Sequence, residues 1–168
     1  KRDFKQQELE RNIIHEQLQF SWAGNLGRWE WNVKTGHVVF NPKKVQVLGY
    51  EVSDFSPTVD AFTNLLHPDD YEATMNSMRR HLYGETPAYE AEYRIKTSSG
   101  DYKWFYDRGR IVEYDEDGSP LRLTGIVFDI SEQKEFEARL EKTNLELQEA
   151  NEAKNKVFSI IAHDLRNP

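Results

Sequence analysis

Alternation of apolar and polar residues marks the middle of the chain. Between residues 89 and 95 every second residue is apolar, namely Tyr89, Ala91, Tyr93 and Ile95. This period of two predicts a β-strand with one face in water, which we place at the edge of a sheet. Residues 28–32 alternate in the same way, and a Lys-Thr-Gly turn joins them to a second predicted strand over residues 37–40.

Two later segments are predicted to be the central strands of the sheet. Residues 102–112 and 121–130 each follow a turn rich in Ser, Asp and Gly, and both carry apolar side chains on their two faces. A strand that is apolar on both sides needs cover on both sides. We therefore expect helices over one face, and over the other either the N-terminal helix or a second subunit.

Helical segments are predicted between the strands. Residues 41–49 begin with Asn-Pro, which predicts an Asn N-cap with proline at the first helical position; residues 51–66 predict short, irregular pieces. Residues 67–82 open on His-Pro-Asp-Asp and carry an apolar row of Tyr71, Met75, Met78 and Leu82. Proline and aspartates suit a helix N-terminus, so this motif is interpreted as a helix start rather than a metal or acid–base site. His81, beside two arginines, is interpreted as a surface residue.

Both ends of the chain show helical spacing. Residues 1–20 fit either a solvated terminal helix or the tail of an upstream signalling helix. Residues 132–167 contain neither Gly nor Pro, which predicts one long helix. A heptad register passes through Phe136, Leu140, Thr143, Leu147, Ala150, Lys154, Val157 and Ile161. The polar residues in this register predict a weak coiled coil. A weak coiled coil is compatible with a helix that shifts during signalling and equally with an ordinary surface helix.

Composition narrows the classes of partner and chemistry. The net charge of −7 makes nucleic acid an unexpected partner, and the lack of cysteine excludes disulfides and thiolate ligands. No apolar run is long enough to span a membrane and no signal peptide is recognisable. We expect a cytoplasmic location and no membrane contact by these residues, with a membrane anchor upstream in the parent protein left open.

The order strand–strand–short helices–longer helix–three strands resembles the PAS sensor domain of the PAC-containing type. The likeness covers roughly residues 22–133, and it is carried by residues 27–36, 67–70, 93–95, 99–104, 107–110 and 125–131. It implies an α+β fold in which a five-stranded antiparallel sheet with helices on one face encloses a small pocket. In that family the Asp-Ile-Ser segment at residues 129–131 marks the start of the output helix, and Asp129 or Ser131 would be a suitable N-cap.

The last eleven residues resemble the phosphoacceptor box of sensor histidine kinases. Their sequence is Phe-Ser-Ile-Ile-Ala-His-Asp-Leu-Arg-Asn-Pro. Helical spacing alone predicts a surface histidine, because His163 lies away from the apolar row of the helix. The resemblance implies that His163 accepts a phosphoryl group from ATP, that Asp164 orients the ring as general base, and that Asn167 positions water for dephosphorylation of a response regulator.

Aromatic residues are the candidates for the pocket. Trp29, Trp31, Tyr93 and Trp104 could contact a ligand, although aromatic strand residues are more often plain core. Flavin capture by cysteine is excluded, and we expect no haem, no metal and no cofactor in these residues. ATP and Mg are expected to act in the full-length parent.

The predictions combine into four segments: an N-terminal helix at 1–21, a PAS sensor domain at 22–131, a signalling helix at 132–156 and the start of the dimerisation and phosphoacceptor domain at 157–168. We expect the sensory input module of a two-component histidine kinase, inactive alone because its ATP-binding domain has no counterpart here. The alternative is a ligand-free PAS relay and dimerisation module. The expected partners are a second copy of the chain, a response-regulator receiver domain and a small molecule in the pocket.

Overall fold

The computed structural model describes residues 24–167. The predicted N-terminal helix over residues 1–21 lies outside these residues. The chain divides into two compact units between Ser131 and Glu132.

The first unit is built on one antiparallel sheet. Its described residues form five strands: β1 Asn25–Asn32, β2 Val38–Phe40, β3 Tyr89–Lys96, β4 Tyr102–Tyr114 and β5 Pro120–Asp129. They lie in the order β2-β1-β5-β4-β3 with every neighbouring pair antiparallel. The edge position predicted for β3 and the interior positions predicted for β4 and β5 are confirmed.

Three helices and a 3-10 turn connect β2 to β3. They are α1 Lys43–Gln46, a 3-10 turn Val52–Asp54, α2 Val59–Thr63 and α3 Pro68–Leu82. The predicted start of α1 is wrong by one residue, because Pro42 is the N-cap and the side chain of Asn41 accepts from the backbone N–H of Lys43 over 3.0 Å. The predicted start of α3 is confirmed: Pro68 opens the helix and Nδ1 of His67 accepts from the backbone N–H of Asp69.

The core lies on the face of the sheet that the helices cover. Val45 and Leu48, in and just after α1, and Phe62 of α2 are buried against the inward-facing residues of the strands. Among those inward-facing residues Ile95, Phe105 and Leu123 are fully buried. Alternation within each strand therefore separates this core from an opposite face that carries half-buried aromatics such as Tyr106 and Phe128.

The predicted surface position of His81 is wrong. Its imidazole is buried, with Nδ1 2.9 Å from the carbonyl oxygen of Thr86, and Nε2 accepts from the backbone N–H of Ile111 over 3.1 Å. Because Nε2 has to accept, the proton of the neutral ring lies on Nδ1 and is donated to Thr86. His81 therefore ties the end of α3 to β4, a role that the two flanking arginines obscured.

Thr74 and His81 are the buried positions of α3, and neither belongs to the predicted apolar row. The hydroxyl of Thr74 donates to the carbonyl of Asp70 over 2.8 Å, so its burial leaves no donor unpaired. Met75 and Met78 are half-buried and Tyr71 is 43% exposed. Met78 and Leu82 of the predicted apolar row pack against the core, and all four members of the row border a cavity.

The second unit, from Glu132 onward, is formed by helix α4, which begins at Ser131 and ends at Arg166. The side chain of Asp129 accepts from the backbone N–H of Ser131 over 3.0 Å, and the hydroxyl of Ser131 accepts from the backbone N–H of Trp104 over 2.9 Å. Of the two N-cap candidates, Asp129 and Ser131, it is therefore the side chain of Asp129 that accepts from a backbone N–H at the start of the helix. Across residues 24–167, no helix combines the length and apolar character that crossing a membrane requires.

Candidate functional site

A cavity of about 370 Å³ lies between the sheet and helices α2 and α3. Its walls are mostly apolar and aromatic, with contributions from strands β1 to β4 and from all three short helices. This volume and composition are typical of small-molecule sites. Every residue that lines the cavity belongs to the first unit.

The ring of Trp29 lies directly on the backbone of the two central strands. Trp29 is in register with Gly125, Gly125 with Gly109, and Gly109 with Tyr89, so these residues form one row across the sheet. A Cβ built on Gly109 would lie 2.7 Å from the indole, and one on Gly125 would also collide with it. Both glycines are therefore required by the close approach of the ring.

The indole and a tyrosine hydroxyl bind a buried carboxylate. Nε1 of Trp29 donates to Oδ1 of Asp107 over 2.7 Å, and the hydroxyl of Tyr93 donates to Oδ2 over 3.0 Å. Burial raises the pKa of Asp107, while Lys44 and the two donors oppose the shift. Burial, together with Asp107, also raises the pKa of Tyr93 well above its ordinary value, so the hydroxyl keeps the proton that it donates.

Lys44 provides the matching positive charge in the cavity wall. Its residue is only 5% exposed, and its Nζ lies 3.9 Å from the ring centroid of Phe62, which is a cation–π distance. Burial lowers the pKa of Lys44, and the charge of Asp107 opposes this shift. Within the described part of the chain, Nζ takes part in no hydrogen bond.

A second donor in the wall also lacks a partner. Nε1 of Trp31 is fully shielded from solvent and has no hydrogen-bond partner among residues 24–167. Trp31 contributes to the lining of the cavity. An unpaired buried donor is costly, so it calls for a ligand or water that accepts its proton.

Three of the four aromatic residues singled out from the sequence border the cavity, namely Trp29, Trp31 and Tyr93. Trp104 is not part of the lining: it alternates with the buried Phe105 and therefore points to the opposite face, where the guanidinium of Arg94 lies 5.2 Å from its ring.

Sequence reasoning missed Lys44 and Asp107. Alternation from Phe105 placed Asp107 on the inner face and could have revealed it. Nothing in the sequence distinguishes Lys44 from the exposed Lys43 beside it.

His81 does not suit a haem ligand. Both ring nitrogens are committed to backbone partners, the carbonyl of Thr86 and the N–H of Ile111. Coordination of iron would leave one of these buried groups unpaired. The described residues also contain no group of three or more His, Cys, Asp or Glu side chains that could hold a metal ion.

The three residues that resemble a phosphoacceptor site lie together at the end of α4. His163 and Asp164 are about three-quarters exposed, and Nδ1 of His163 is 3.5 Å from Oδ1 of Asp164. On the other side of the ring, Nδ2 of Asn167 is 3.4 Å from Nε2 of His163. The first distance exceeds that of a regular hydrogen bond.

The fold and the cavity together define the class of protein. The family described as PAS fold matches residues 37–127, which is more than half of the chain, and the chain belongs to that family.

Its relatives include histidine kinases. The chain is 32% identical over 108 residues to hybrid signal transduction histidine kinase A of Dictyostelium discoideum, a match that covers 62% of this chain and 5% of that protein. It is 27% identical over 115 residues to the sensor protein FixL of Bradyrhizobium diazoefficiens, covering 68% and 22% respectively. These curated relatives are thus several times longer than the region they share with this chain.

A solved structure agrees over a larger part of the chain. The crystal structure of a sensory box histidine kinase/response regulator from Burkholderia thailandensis superposes with a TM-score of 0.63 at 32% identity. The superposition covers 79% of this chain and 97% of the chain in the solved structure. The α+β fold predicted from the order of the elements is confirmed.

Proposed function

We propose that this chain is the sensory input module of a two-component histidine kinase. In this proposal the PAS domain receives a signal in its cavity, and helix α4 carries the change to the phosphoacceptor His163. The observation that carries the proposal is the continuity of α4, which begins at the hydrogen-bonded Ser131 and continues without a break to Arg166. Kinship with PAS domains of histidine kinases supports it.

His163 is suited to accept a phosphoryl group. Its ring is exposed to an incoming nucleotide, and a neutral imidazole nitrogen is a competent nucleophile near pH 7. Asp164 lies on the Nδ1 side, where it accepts the Nδ1 proton and stabilises the charge that develops on the ring as Nε2 attacks. ATP and Mg would be supplied by the kinase domain of the full-length parent.

Asn167 is assigned to the reverse reaction. Its amide lies beside Nε2 of His163, the nitrogen that would attack, and an amide at this place can orient a water molecule toward a phosphorylated receiver domain. The receiver aspartate would take the phosphoryl group from His163 and later lose it to that water.

Two copies of the chain are proposed to form a dimer through helix α4. Large apolar side chains along the helix are about half exposed or more, namely Phe136, Leu140, Leu145, Leu147, Val157, Phe158, Ile160, Ile161 and Leu165. This extent of apolar exposure on a single helix favours a partner helix.

The alternative is a PAS domain that relays signals without a ligand. The cavity of about 370 Å³ with its unpaired donor Trp31 favours the sensing function over this alternative. Native mass spectrometry of the purified chain separates the two, because an intact ligand adduct supports sensing.

The test uses the full-length parent with labelled ATP. Acid-labile label is expected in the parent and in the control His37→Ala, which alters an exposed histidine outside the cavity lining and α4. It should be lost in His163→Ala and slowed by a factor on the order of 10²–10⁴ in Asp164→Ala. Asn167→Ala should keep the kinase step and lose the phosphatase step. Label that persists in His163→Ala would refute the assignment.

A further inference from the structure

We infer that the cavity takes a neutral, compact, largely apolar molecule whose carbonyl-type acceptor group is bound by Lys44 and Trp31. The inference rests on the proposed function, since the ligand would be the signal that the module senses. It follows from three properties of the wall: its unused hydrogen-bonding groups, its charge balance and its apolar area.

The unused groups of the wall are mainly donors. Both carboxylate oxygens of Asp107 already accept, one from Trp29 and one from Tyr93. Among residues 24–167, neither the ammonium group of Lys44 nor the indole N–H of Trp31 has a hydrogen-bond acceptor. A ligand that brings acceptors would satisfy these donors, whereas a ligand that brings only donors would leave them unpaired.

The charges of the wall balance without a ligand. Lys44 and Asp107 are buried groups of opposite charge type, and the interaction between them opposes the shift that burial gives to the pKa of each. The remaining charged residue of the lining, Arg79, is paired with Glu72 over 2.6 Å. A ligand with a net charge would therefore place an uncompensated charge in a medium of low dielectric constant, which is costly.

The rest of the wall fixes the size and character of the ligand. Aromatic rings such as Phe62 and Tyr89 and the side chains of Met75 and Met78 make up the apolar walls. The volume corresponds to roughly a dozen water molecules. One ring with short substituents therefore fits, and its acceptor group should reach the donors of Lys44 and Trp31.

The experiment compares four probes that share one benzene ring. Acetophenone is neutral with a carbonyl acceptor, benzoate is anionic, benzylamine is cationic, and ethylbenzene has no polar group. Each is titrated into the ¹⁵N-labelled chain, and dissociation constants are taken from the indole N–H signals, with Trp31→Phe identifying the signal of residue 31.

Acetophenone should bind most tightly, by about fivefold or more over ethylbenzene, which corresponds to one net hydrogen bond. It should shift the Trp31 indole signal. Trp31→Phe and Lys44→Met should each lower the preference for acetophenone over ethylbenzene, measured as the ratio of the two dissociation constants, about fivefold. Lys43→Met alters the exposed neighbour in the same helix and should change neither affinity.

Lys44→Met leaves the buried Asp107 without its counter-charge and can unfold the domain. Trp31→Phe removes the indole N–H with part of the ring but changes no charge, so it keeps the test valid. Tighter binding of benzoate or benzylamine than of acetophenone would refute a neutral ligand. Equal binding of ethylbenzene and acetophenone would refute the need for an acceptor group. The lack of any saturable shift would overturn the ligand class as a whole. The titrations need no phosphorylation, so a failure of His163 in the parent would refute the proposed function and leave this result standing.

Discussion

Trp29 and Asp107 are joined by a 2.7 Å hydrogen bond although strand β5 lies between their strands. The indole reaches Asp107 by lying over Gly125 and Gly109, the two residues that give it a path across the backbone. One side chain thus packs on the two central strands and also orients the charged group of the cavity. The stability of the sheet and the polarity of the cavity depend on the same ring.

The first prediction concerns the space under this ring. Gly125→Ala should destabilise the domain by about 1–3 kcal/mol, because the added Cβ meets both the indole and the backbone of β4. Adding Trp29→Phe should recover part of the loss, since the smaller ring vacates the space. Urea denaturation of the two single variants and the double variant measures the coupling between positions 29 and 125. Additive losses in the double variant would contradict the steric explanation.

The second prediction concerns the ion pair between Asp70 and Arg94. The guanidinium donates to both oxygens of Asp70 over 2.8 Å, and it is the main cause that lowers the pKa of this carboxyl. A lowered pKa in the folded state means stability that is present above the unfolded pKa of about 4 and is lost as the pH falls through the folded value. Asp70→Asn should cost about 2 kcal/mol at pH 7 and progressively less in acid.

The measurement is the urea midpoint as a function of pH from 7 to 3. Asp69→Asn is the matched control, because Asp69 adjoins Asp70 in the first turn of α3 and its side chain is 79% exposed. The control should follow the unmodified chain at every pH. A loss in Asp70→Asn that does not shrink in acid would show that the effect is not electrostatic.

The third prediction concerns His81. His81→Phe should lower the free energy of unfolding by about 2–4 kcal/mol, because it leaves the N–H of Ile111 and the carbonyl of Thr86 buried without partners. The neighbouring Arg80→Ala alters an exposed side chain and should cost less than 1 kcal/mol. Long-range ¹⁵N–¹H correlation spectra should show the proton of His81 on Nδ1. A proton on Nε2 would contradict the proposed hydrogen bonds.

The fourth prediction concerns the exposed apolar residues of α4. Leu140→Asp and Leu147→Asp lie on the heptad register and should each raise the dimer dissociation constant by tenfold or more, since a charge in an apolar helix interface costs more than 1.4 kcal/mol. Leu145→Asp changes an equally exposed leucine outside the register and should have little effect. Sedimentation velocity over a wide concentration range measures the association. A chain that remains monomeric throughout would rule out the proposed dimer.

Local patterns were sufficient to predict most of the framework. The edge strand β3 follows from a strict period of two, and the start of α3 follows from residues that a helix N-terminus favours. Both depend on interactions within a few residues of one another. The start of α1 was misplaced by one residue because an Asn-Pro pair can begin a turn as well as a helix.

The interior of the site depends on residues that are far apart in the chain. Asp107, Trp29 and Lys44 meet only after three strands, β1, β5 and β4, have paired and α1 has packed on them. His81 was misjudged for the same reason, since its partner Ile111 is thirty residues away. The isolated glycines of β4 and β5 were the one sequence feature that could have indicated a close approach.

The ring over the two glycines has a consequence for how this sequence can diverge. Positions 29, 109 and 125 share one volume, so a lineage can gain a side chain at either glycine only after position 29 has become smaller. That first step also removes a donor from Asp107 and enlarges the cavity. The order of substitutions is therefore constrained, and descendants that repack the sheet should acquire a different ligand preference along the way.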